Sequence, residues 1–88
     1  MFGSLSALDI GCGAGILSES LGRLGFGSVH GIDPTPKCIE LAEEHLKRDQ
    51  DLQKNVKYRN TTMESLLSES DKKFDLVCVS EVIEHVHN

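Results

Sequence analysis

The sequence predicts an α/β fold in which helices wind doubly around a parallel sheet. Segments that read as strands and as helices alternate four times along the 88 residues. The last strand segment, 74–79, is almost entirely apolar, which is typical of a parallel strand covered on both faces. A glycine-rich turn also follows the first strand segment, where such sheets bind ligands. Right-handed crossovers then predict a partial sheet with the strand order 3-2-1-4.

The first strand–helix unit begins near the start of the chain. A strand over residues 7–10 leads through the glycine-rich turn into a helix over 14–24. The apolar spacing in this helix predicts one buried face. That face comprises Ile16, Leu17, Leu21 and Leu24. Gly25 and Gly27 are predicted to end the helix.

The second unit consists of a strand over residues 28–32 and a longer helix. Thr35 is predicted as the N-cap and Pro36 as the first helical residue. The helix is expected to continue to Arg48. Its predicted buried residues are Cys38, Ile39, Ala42 and Leu46.

The second half of the chain predicts a shorter helix and a buried strand. The third strand covers residues 56–59, and Thr61 with Glu64 has the spacing of a capping box. This spacing predicts a short helix from Thr61 through Leu67. The fourth strand then leads to a helix that begins near Glu81.

Length and composition narrow the possible functions. An α/β domain usually has about 100–150 residues, so we expect a single partial domain over 1–88 that lacks later strands and a substrate lid. The net charge of −5 gives no electrostatic support for binding nucleic acid. No run approaches the ~18 apolar residues of a membrane span. Three cysteines without a Cys-x-x-Cys pair predict neither a disulfide framework nor a zinc site.

The glycine-rich turn carries the pattern Asp-x-Gly-x-Gly-x-Gly, at Asp9, Gly11, Gly13 and Gly15. Gly11 and Gly13 allow a ligand to approach the backbone closely, and Gly15 is expected to let the helix pack near the first strand. With Asp33 at the end of the second strand, the pattern predicts a site for an adenosine-containing cofactor, whose ribose hydroxyls would bond the carboxylate. The alternatives are a purely structural turn and, for Asp33, a residue that balances the dipole of the second helix.

Two further residues bear on the identity of this cofactor. A dinucleotide site needs the spacing Gly-x-Gly-x-x-Gly, and Ile16 stands where the third glycine should be. The sequence therefore disfavours a nicotinamide-binding oxidoreductase. Met63, after the third strand, is predicted to cover one face of an adenine ring with its polarizable side chain. Alternatively, Met63 fills the core.

A second cluster of polar residues follows the fourth strand. On a helix, Glu81, Glu84 and His85 lie at positions i, i+3 and i+4 and share one face. Two carboxylates and one imidazole can chelate a divalent cation, of which Mg²⁺, Mn²⁺ and Ca²⁺ suit the oxygen donors and Zn²⁺ or Co²⁺ suit the histidine. The alternative is a solvated helix face with a surface histidine.

Four segments of the chain carry a resemblance to a known family. They are residues 8–19 (LDIGCGAGILSE), 22–25 (GRLG), 31–34 (GIDP) and 80–86 (SEVIEHV). Together they resemble the ubiquinone biosynthesis O-methyltransferases, a family with the Rossmann-like class I methyltransferase fold. The resemblance runs over nearly the whole chain, although the upstream arginine of the family is absent and the turn at 26–28 is one residue longer.

The resemblance implies an enzyme that transfers a methyl group from S-adenosylmethionine to a hydroxyl of a polyprenylated, catechol-type quinone precursor. By position it implies cofactor contacts at Gly11, Asp33 and Ser80, and a Mg²⁺ site at the glutamate–histidine cluster. It also implies other coenzyme Q biosynthesis proteins as partners, and a location at the matrix face of the mitochondrial inner membrane or in the bacterial cytoplasm. The alternatives are another class I small-molecule methyltransferase and a non-catalytic truncated fragment.

Overall fold

The computed structural model describes residues 3–69 and 73–79, which form a four-stranded parallel sheet with helices. The strands are β1 (Ser6–Ile10), β2 (Ser28–Asp33), β3 (Val56–Asn60) and β4 (Leu76–Val79). The helices are α1 (Ile16–Arg23), α2 (Pro36–Leu46) and α3 (Met63–Glu69), with a 3-10 helix at Leu52–Lys54. The strand order is β3-β2-β1-β4, as predicted, and each pairing is parallel. The carboxyl ends of the strands therefore lie at one edge.

The core lies between the sheet and helices α1 and α2. Ala7, Val29 and Val56 are neighbours across β1, β2 and β3, and each is at most 1% exposed. The rest of the buried apolar cluster comprises Cys12, Leu21, Phe26, Ile39, Ala42, Leu46, Leu52 and Tyr58. Because burying a large apolar side chain stabilises a fold by about 1.5–3 kcal/mol, this layer supplies most of the apolar stabilisation in the described residues.

The predicted buried face of α1 is wrong for three of its four residues. Leu21 is buried, but Ile16 is 81% exposed, Leu17 is 37% exposed and Leu24 is 61% exposed. Two polar side chains face inward instead: Ser18 donates a hydrogen bond to Asp9 of β1, and Glu19 bonds His45 of α2. Since buried polar groups need partners, these contacts satisfy the polar side chains on the face of α1 that meets the sheet.

The ends of the two longer helices lie close to the predicted positions. α1 is shorter than the predicted 14–24, and α2 ends at Leu46 instead of Arg48. Thr35 is the N-cap of α2, as predicted, but its hydroxyl makes no capping hydrogen bond. Cys38 is half-buried, whereas the other three predicted core residues of α2 are buried. Within the described residues, no helix combines the length and apolar character needed to cross a membrane.

The capping box predicted at Thr61 and Glu64 is wrong by one residue. The N–H of Ser65 donates to Thr62 Oγ1 at 3.2 Å, so Thr62 caps α3, which continues to Glu69. The reason lies in β3, which extends to Asn60 and pairs it with Asp33 of β2. This longer strand moves the start of the helix along the chain.

β4 is less buried than its apolar sequence predicts. The prediction of a strand covered on both faces is wrong for Leu76, Val77 and Val79, which are 37%, 47% and 38% exposed. Among the described strands, β4 pairs with β1 alone. The helix predicted to begin near Glu81 lies outside the described residues.

Candidate cofactor site

The glycine turn connects β1 to α1 at the carboxyl edge of the sheet. Gly11, Gly13 and Gly15 have φ values of 73°, 56° and 89°, in a region that costs residues with a Cβ about 1–2 kcal/mol. The N–H groups of Gly11 and Cys12 donate to the carbonyl of Ile32, at 2.9 and 3.0 Å. These two bonds fold the turn over the end of β2. The turn needs glycine because its backbone has these positive φ values.

Asp33 is the last residue of β2 and lies directly beside the turn. Its carboxylate accepts a hydrogen bond from the N–H of Gly13 at 3.0 Å and another from the N–H of Thr35 at 2.9 Å. The residue is only 2% exposed. A carboxylate has about four acceptor positions, and these two bonds use two of them. Asp33 therefore joins the turn to the start of α2, and its contact with a ligand stays a prediction.

Gly15 packs against the side chain of Tyr58 from β3. A Cβ at Gly15 would collide with the Tyr58 hydroxyl and come within 3.2 Å of the Cβ of Ala42 in α2. The Tyr58 hydroxyl donates a hydrogen bond to the carbonyl of Gly15 at 3.3 Å. The predicted reason for Gly15, close packing of the helix on the first strand, is therefore wrong, because the neighbour that requires glycine is Tyr58.

Asp9 lies beneath the turn, on the side of β1 that meets α1. It is fully buried, and the hydroxyl of Ser18 donates to its Oδ2 at 2.7 Å. A buried carboxyl group is costly without such a partner. A direct contact between Asp9 and a cofactor would need the turn to move, and this contact stays a prediction.

A shallow cleft of about 160 Å³ opens beside the turn. Its lining residues are Ile10, Gly11, Ile32, Pro34, Thr61, Thr62 and Met63. Met63 is 38% exposed, so its side chain faces the cleft and does not fill the core. Because most small-molecule sites have roughly 300–1,000 Å³, this cleft alone has room for only part of such a ligand.

Cys12 is a packing residue within the turn. It is 8% exposed, and burial, reinforced by the nearby Asp9 and Asp33 carboxylates, raises the pKa of its thiol to about 12. The thiolate is the reactive form of cysteine. Cys12 is therefore mainly in the thiol form at neutral pH, in agreement with a small side chain that fills a tight turn.

Three residues that shape this site were not predicted from the sequence. The side-chain amide of Asn60 donates to the carbonyl of Asp33 at 2.9 Å, and the hydroxyls of Tyr58 and Ser18 hold the turn from below. The position of Asn60 at the end of a strand could have indicated its place at this edge. The roles of Tyr58 and Ser18 depend on contacts with residues that the sequence pattern does not connect to them.

The predicted cation site falls outside the described part of the chain. Ser80, Glu81, Glu84 and His85 all belong to the segment after residue 79. Within residues 3–69 and 73–79, no group of three or more His, Cys, Asp or Glu side chains is arranged to hold a metal ion. The cation site therefore stays a sequence prediction.

Known proteins match the chain over almost its full length. Residues 8–88 match the family model described as a methyltransferase domain. The chain is 48% identical to the mitochondrial ubiquinone biosynthesis O-methyltransferase of Rattus norvegicus over 84 residues, which cover 96% of this chain and 24% of that protein. It is also 48% identical to the ubiquinone biosynthesis O-methyltransferase of Caulobacter vibrioides over 85 residues, covering 97% of this chain and 32% of that protein. The chain thus spans about a quarter to a third of the length of these relatives.

Solved methyltransferase structures share the fold. The bifunctional kinase-methyltransferase WbdD matches with a TM-score of 0.72 and 27% identity, over 83% of this chain and 16% of that chain. The plantazolicin methyltransferase BamL, in complex with a triazolic desmethylPZN analogue and SAH, matches with a TM-score of 0.65 and 28% identity, over 83% of this chain and 25% of that chain. The predicted Rossmann-like class I methyltransferase fold is therefore confirmed. The chain belongs to the methyltransferase domain family and is similar, over nearly all its residues, to the ubiquinone biosynthesis O-methyltransferases.

Proposed function

We propose that this chain is the cofactor-binding part of an S-adenosylmethionine-dependent O-methyltransferase of ubiquinone biosynthesis. The observation that carries the proposal is the meeting of the glycine turn and the Asp33 carboxylate beside a cleft at the carboxyl edge of the sheet. The names of the relatives support the class of reaction and the pathway.

The residues around the cleft fit an adenosine-containing cofactor. Among the described residues, apart from its chain neighbours, no atom lies within 4 Å of the position that a Cβ of Gly13 would take, so a ligand has room against this part of the turn. We propose that Asp33 accepts hydrogen bonds from the ribose hydroxyls and that Met63 covers the adenine ring. The other proposed contacts are Asp9, Gly11, Gly15 and Ser80.

The role of this chain in the reaction is to hold the cofactor in position. When bound, the cofactor supplies a sulfonium methyl group that an acceptor oxygen can take. The turn is already tied to β2 through Gly11 and Cys12 and to Asp33 through Gly13. Backbone groups that are fixed before the ligand arrives reduce the ordering cost of binding, and accurate positioning is a large part of rate enhancement.

The acceptor and the cation are finer parts of the proposal. Because the relatives are named for ubiquinone biosynthesis, we propose a polyprenylated, catechol-type phenol as the acceptor. A phenol has a pKa near ~10 and is mostly protonated at neutral pH. A bound divalent cation lowers the pKa of an oxygen that it coordinates. Glu81 and Glu84 offer two carboxylates, which suit Mg²⁺, while the imidazole of His85 suits Zn²⁺ or Co²⁺; we propose Mg²⁺ because the resemblance to the ubiquinone biosynthesis O-methyltransferases implies it.

The location and partners are further parts of the proposal. The rat protein is named as mitochondrial, and the second relative is bacterial. We therefore propose peripheral attachment at the matrix side of the mitochondrial inner membrane, or the cytoplasm of a bacterium. Other proteins of coenzyme Q biosynthesis are the proposed partners, and the net charge of −5 gives no reason to include nucleic acid.

Titration calorimetry with S-adenosylhomocysteine tests the cofactor site. The variants are Asp33→Ala and, as a matched control, Asp49→Ala. Asp49 also accepts hydrogen bonds from two backbone N–H groups, those of Asp51 and Leu52, but in the loop after α2. We expect the wild type and Asp49→Ala to bind alike. Asp33→Ala should bind at least about tenfold more weakly, the equivalent of 1.4 kcal/mol.

Each other result has a definite meaning. Equal losses in the two variants would make Asp33 a structural residue alone, and a folded wild-type chain that does not bind would contradict the proposal. Binding of NADH in its place would favour a nicotinamide enzyme. For the cation, methyl transfer by a full-length enzyme carrying this segment should fall in the presence of a chelator, and unchanged turnover would contradict the metal site.

A further inference from the structure

We infer that Tyr58 is a positioning residue for the cofactor turn, and that Ser18 supports it from the other end of the turn. The inference rests on the proposed function, since it assigns these side chains a role in holding the turn for S-adenosylmethionine. Neither residue lines the cleft. They would act through the backbone of the turn and not by touching the cofactor.

The two hydroxyls bond opposite ends of the turn. Ser18 of α1 donates to Asp9, the second-last residue of β1 and two residues before Gly11, at 2.7 Å. Tyr58 of β3 donates to the carbonyl of Gly15, the residue that ends the turn, at 3.3 Å. Asp9 and Ser18 are 0% exposed, and Tyr58 is 8% exposed. The turn therefore rests on a base of buried hydrogen bonds from β3 and α1.

The carbonyl of Gly15 connects this base to the site. It accepts one hydrogen bond from the Tyr58 hydroxyl and another from the N–H of Glu19, at 2.9 Å. The bond from Glu19 is the first hydrogen bond of α1. The N–H of Gly15 in turn donates to the carbonyl of Cys12 at 3.0 Å. Gly13 lies between these bonded residues and donates to Asp33. Fixing Gly15 thus restricts the orientation of the Gly13 N–H and of the open side of the turn.

The surroundings of Tyr58 keep its hydroxyl in the donating form. Burial, and to a lesser extent the negative charge of Glu19, raise the pKa of the phenol above its ordinary value. The hydroxyl therefore retains its proton throughout the physiological range. Its ring also occupies the space beside Gly15 that a Cβ would need. Tyr58 thus contributes both a hydrogen bond and a shape, and the two can be separated by removing the hydroxyl alone.

The test compares Tyr58→Phe with Leu46→Val, a conservative core change in α2 that does not touch the turn. Leu46 is 8% exposed, the same as Tyr58. S-adenosylhomocysteine affinity is measured by calorimetry at a temperature where both variants are fully folded. We expect Tyr58→Phe to weaken binding about fivefold to tenfold and Leu46→Val to leave it unchanged, because a purely structural residue does not alter the affinity of the folded state.

Amide hydrogen exchange of the ligand-free chain gives a second, independent readout. Removal of the Tyr58 hydroxyl should speed exchange at the N–H groups of Gly15 and Glu19, which share its hydrogen-bond network. Exchange at Val29, in β2, should stay the same. Uniform acceleration across the sheet would indicate global destabilisation and overturn the inference.

The two readouts separate this inference from the proposed function. Faster exchange at the turn without any binding by the wild type would overturn the cofactor proposal, while tight binding that Tyr58→Phe leaves unchanged would overturn the positioning role. If Tyr58→Phe does not fold, Ser18→Ala decides the question, because it removes the hydrogen bond at the other end of the turn. Weaker binding by folded Ser18→Ala supports the inference, and unchanged binding overturns it.

Discussion

The sheet has two sides along its strand order, the β2–β3 side and the β4 side, and they bury their apolar residues to very different extents. Val29 and Val56, in β2 and β3, are at most 1% exposed beneath α1 and α2, whereas Val77 and Val79 of β4 are 47% and 38% exposed. α3 contributes no buried residue. All four strands are parallel and belong to one sheet, so strand pairing does not account for the difference.

The difference shows that an apolar strand is buried only where another layer covers it. Helices α1 and α2 pack over β1, β2 and β3. Among the described elements, β4 makes extensive contacts with β1 alone. The glycine turn, Asp33 and their supporting hydrogen bonds all belong to the well-packed side. We therefore expect matched substitutions on the two sides to differ in their effects on stability.

The largest effect is expected at the base of the turn. Gly15→Ala combines a left-handed backbone with a collision against Tyr58, so the free energy of unfolding should fall by about 3–5 kcal/mol. Gly13→Ala has a similar backbone but open space around its Cβ, and should lose about 1–2 kcal/mol. Urea denaturation measures both. Equal losses would show that the Tyr58 contact contributes nothing.

The next effect compares valines on the two sides of the sheet. Val29→Ala removes two buried methyl groups and should lower the free energy of unfolding by about 2 kcal/mol, including the cavity left behind. Val77→Ala removes them from a half-exposed position and should cost about 0.5 kcal/mol. Thermal denaturation of the two variants gives the comparison, and similar shifts in Tm would contradict it.

A smaller effect concerns the ion pairs. Glu19, which is 3% exposed, bonds Arg23 at 3.2 Å and His45 at 2.8 Å, whereas Glu69 pairs with Arg59 at the surface at 2.9 Å. Glu19→Gln should cost about 1 kcal/mol, because it weakens charge-assisted bonds to a buried group. Glu69→Gln should cost about 0–0.5 kcal/mol, and added salt should remove that loss. A larger loss for Glu69→Gln in urea denaturation would reverse the assignment.

The last effect is absent at neutral pH and appears only in alkaline solution. Burial raises the pKa of Cys12 from 9.0 to about 12, so between these values the unfolded chain releases a proton that the folded chain keeps. Stability should therefore fall as pH rises above 9, and Cys12→Ala should flatten this fall by at most about 1.4 kcal/mol per pH unit. Cys78→Ala, on the less buried side, should flatten it less. Denaturant titrations at pH 7, 9 and 10.5 measure the slopes, and identical slopes for wild type and Cys12→Ala would contradict the assignment.

The site could be predicted only where it depends on residues close together in sequence. The positive φ values of Gly11, Gly13 and Gly15 follow from the spacing of the glycines, and the placement of Asp33 follows from the end of a strand. The partner of Gly15 could not be predicted, because Tyr58 is 43 residues away. The capping of α3 was misplaced because Thr61 and Thr62 can both cap a helix, and the length of β3 decides between them.

The sequence by itself determined the order of strands and helices, the parallel sheet, the glycine turn and the family, because backbone preferences and apolar patterning act over short distances. Only the tertiary structure decided which face of α1 is buried, how far β4 is covered and why Gly15 has no Cβ. Ile16 and Leu24 are apolar yet exposed, whereas Ser18 and Glu19 bond inward to Asp9 and His45. Those bonds join residues from separate strands and helices, and their geometry exists only once the sheet has formed.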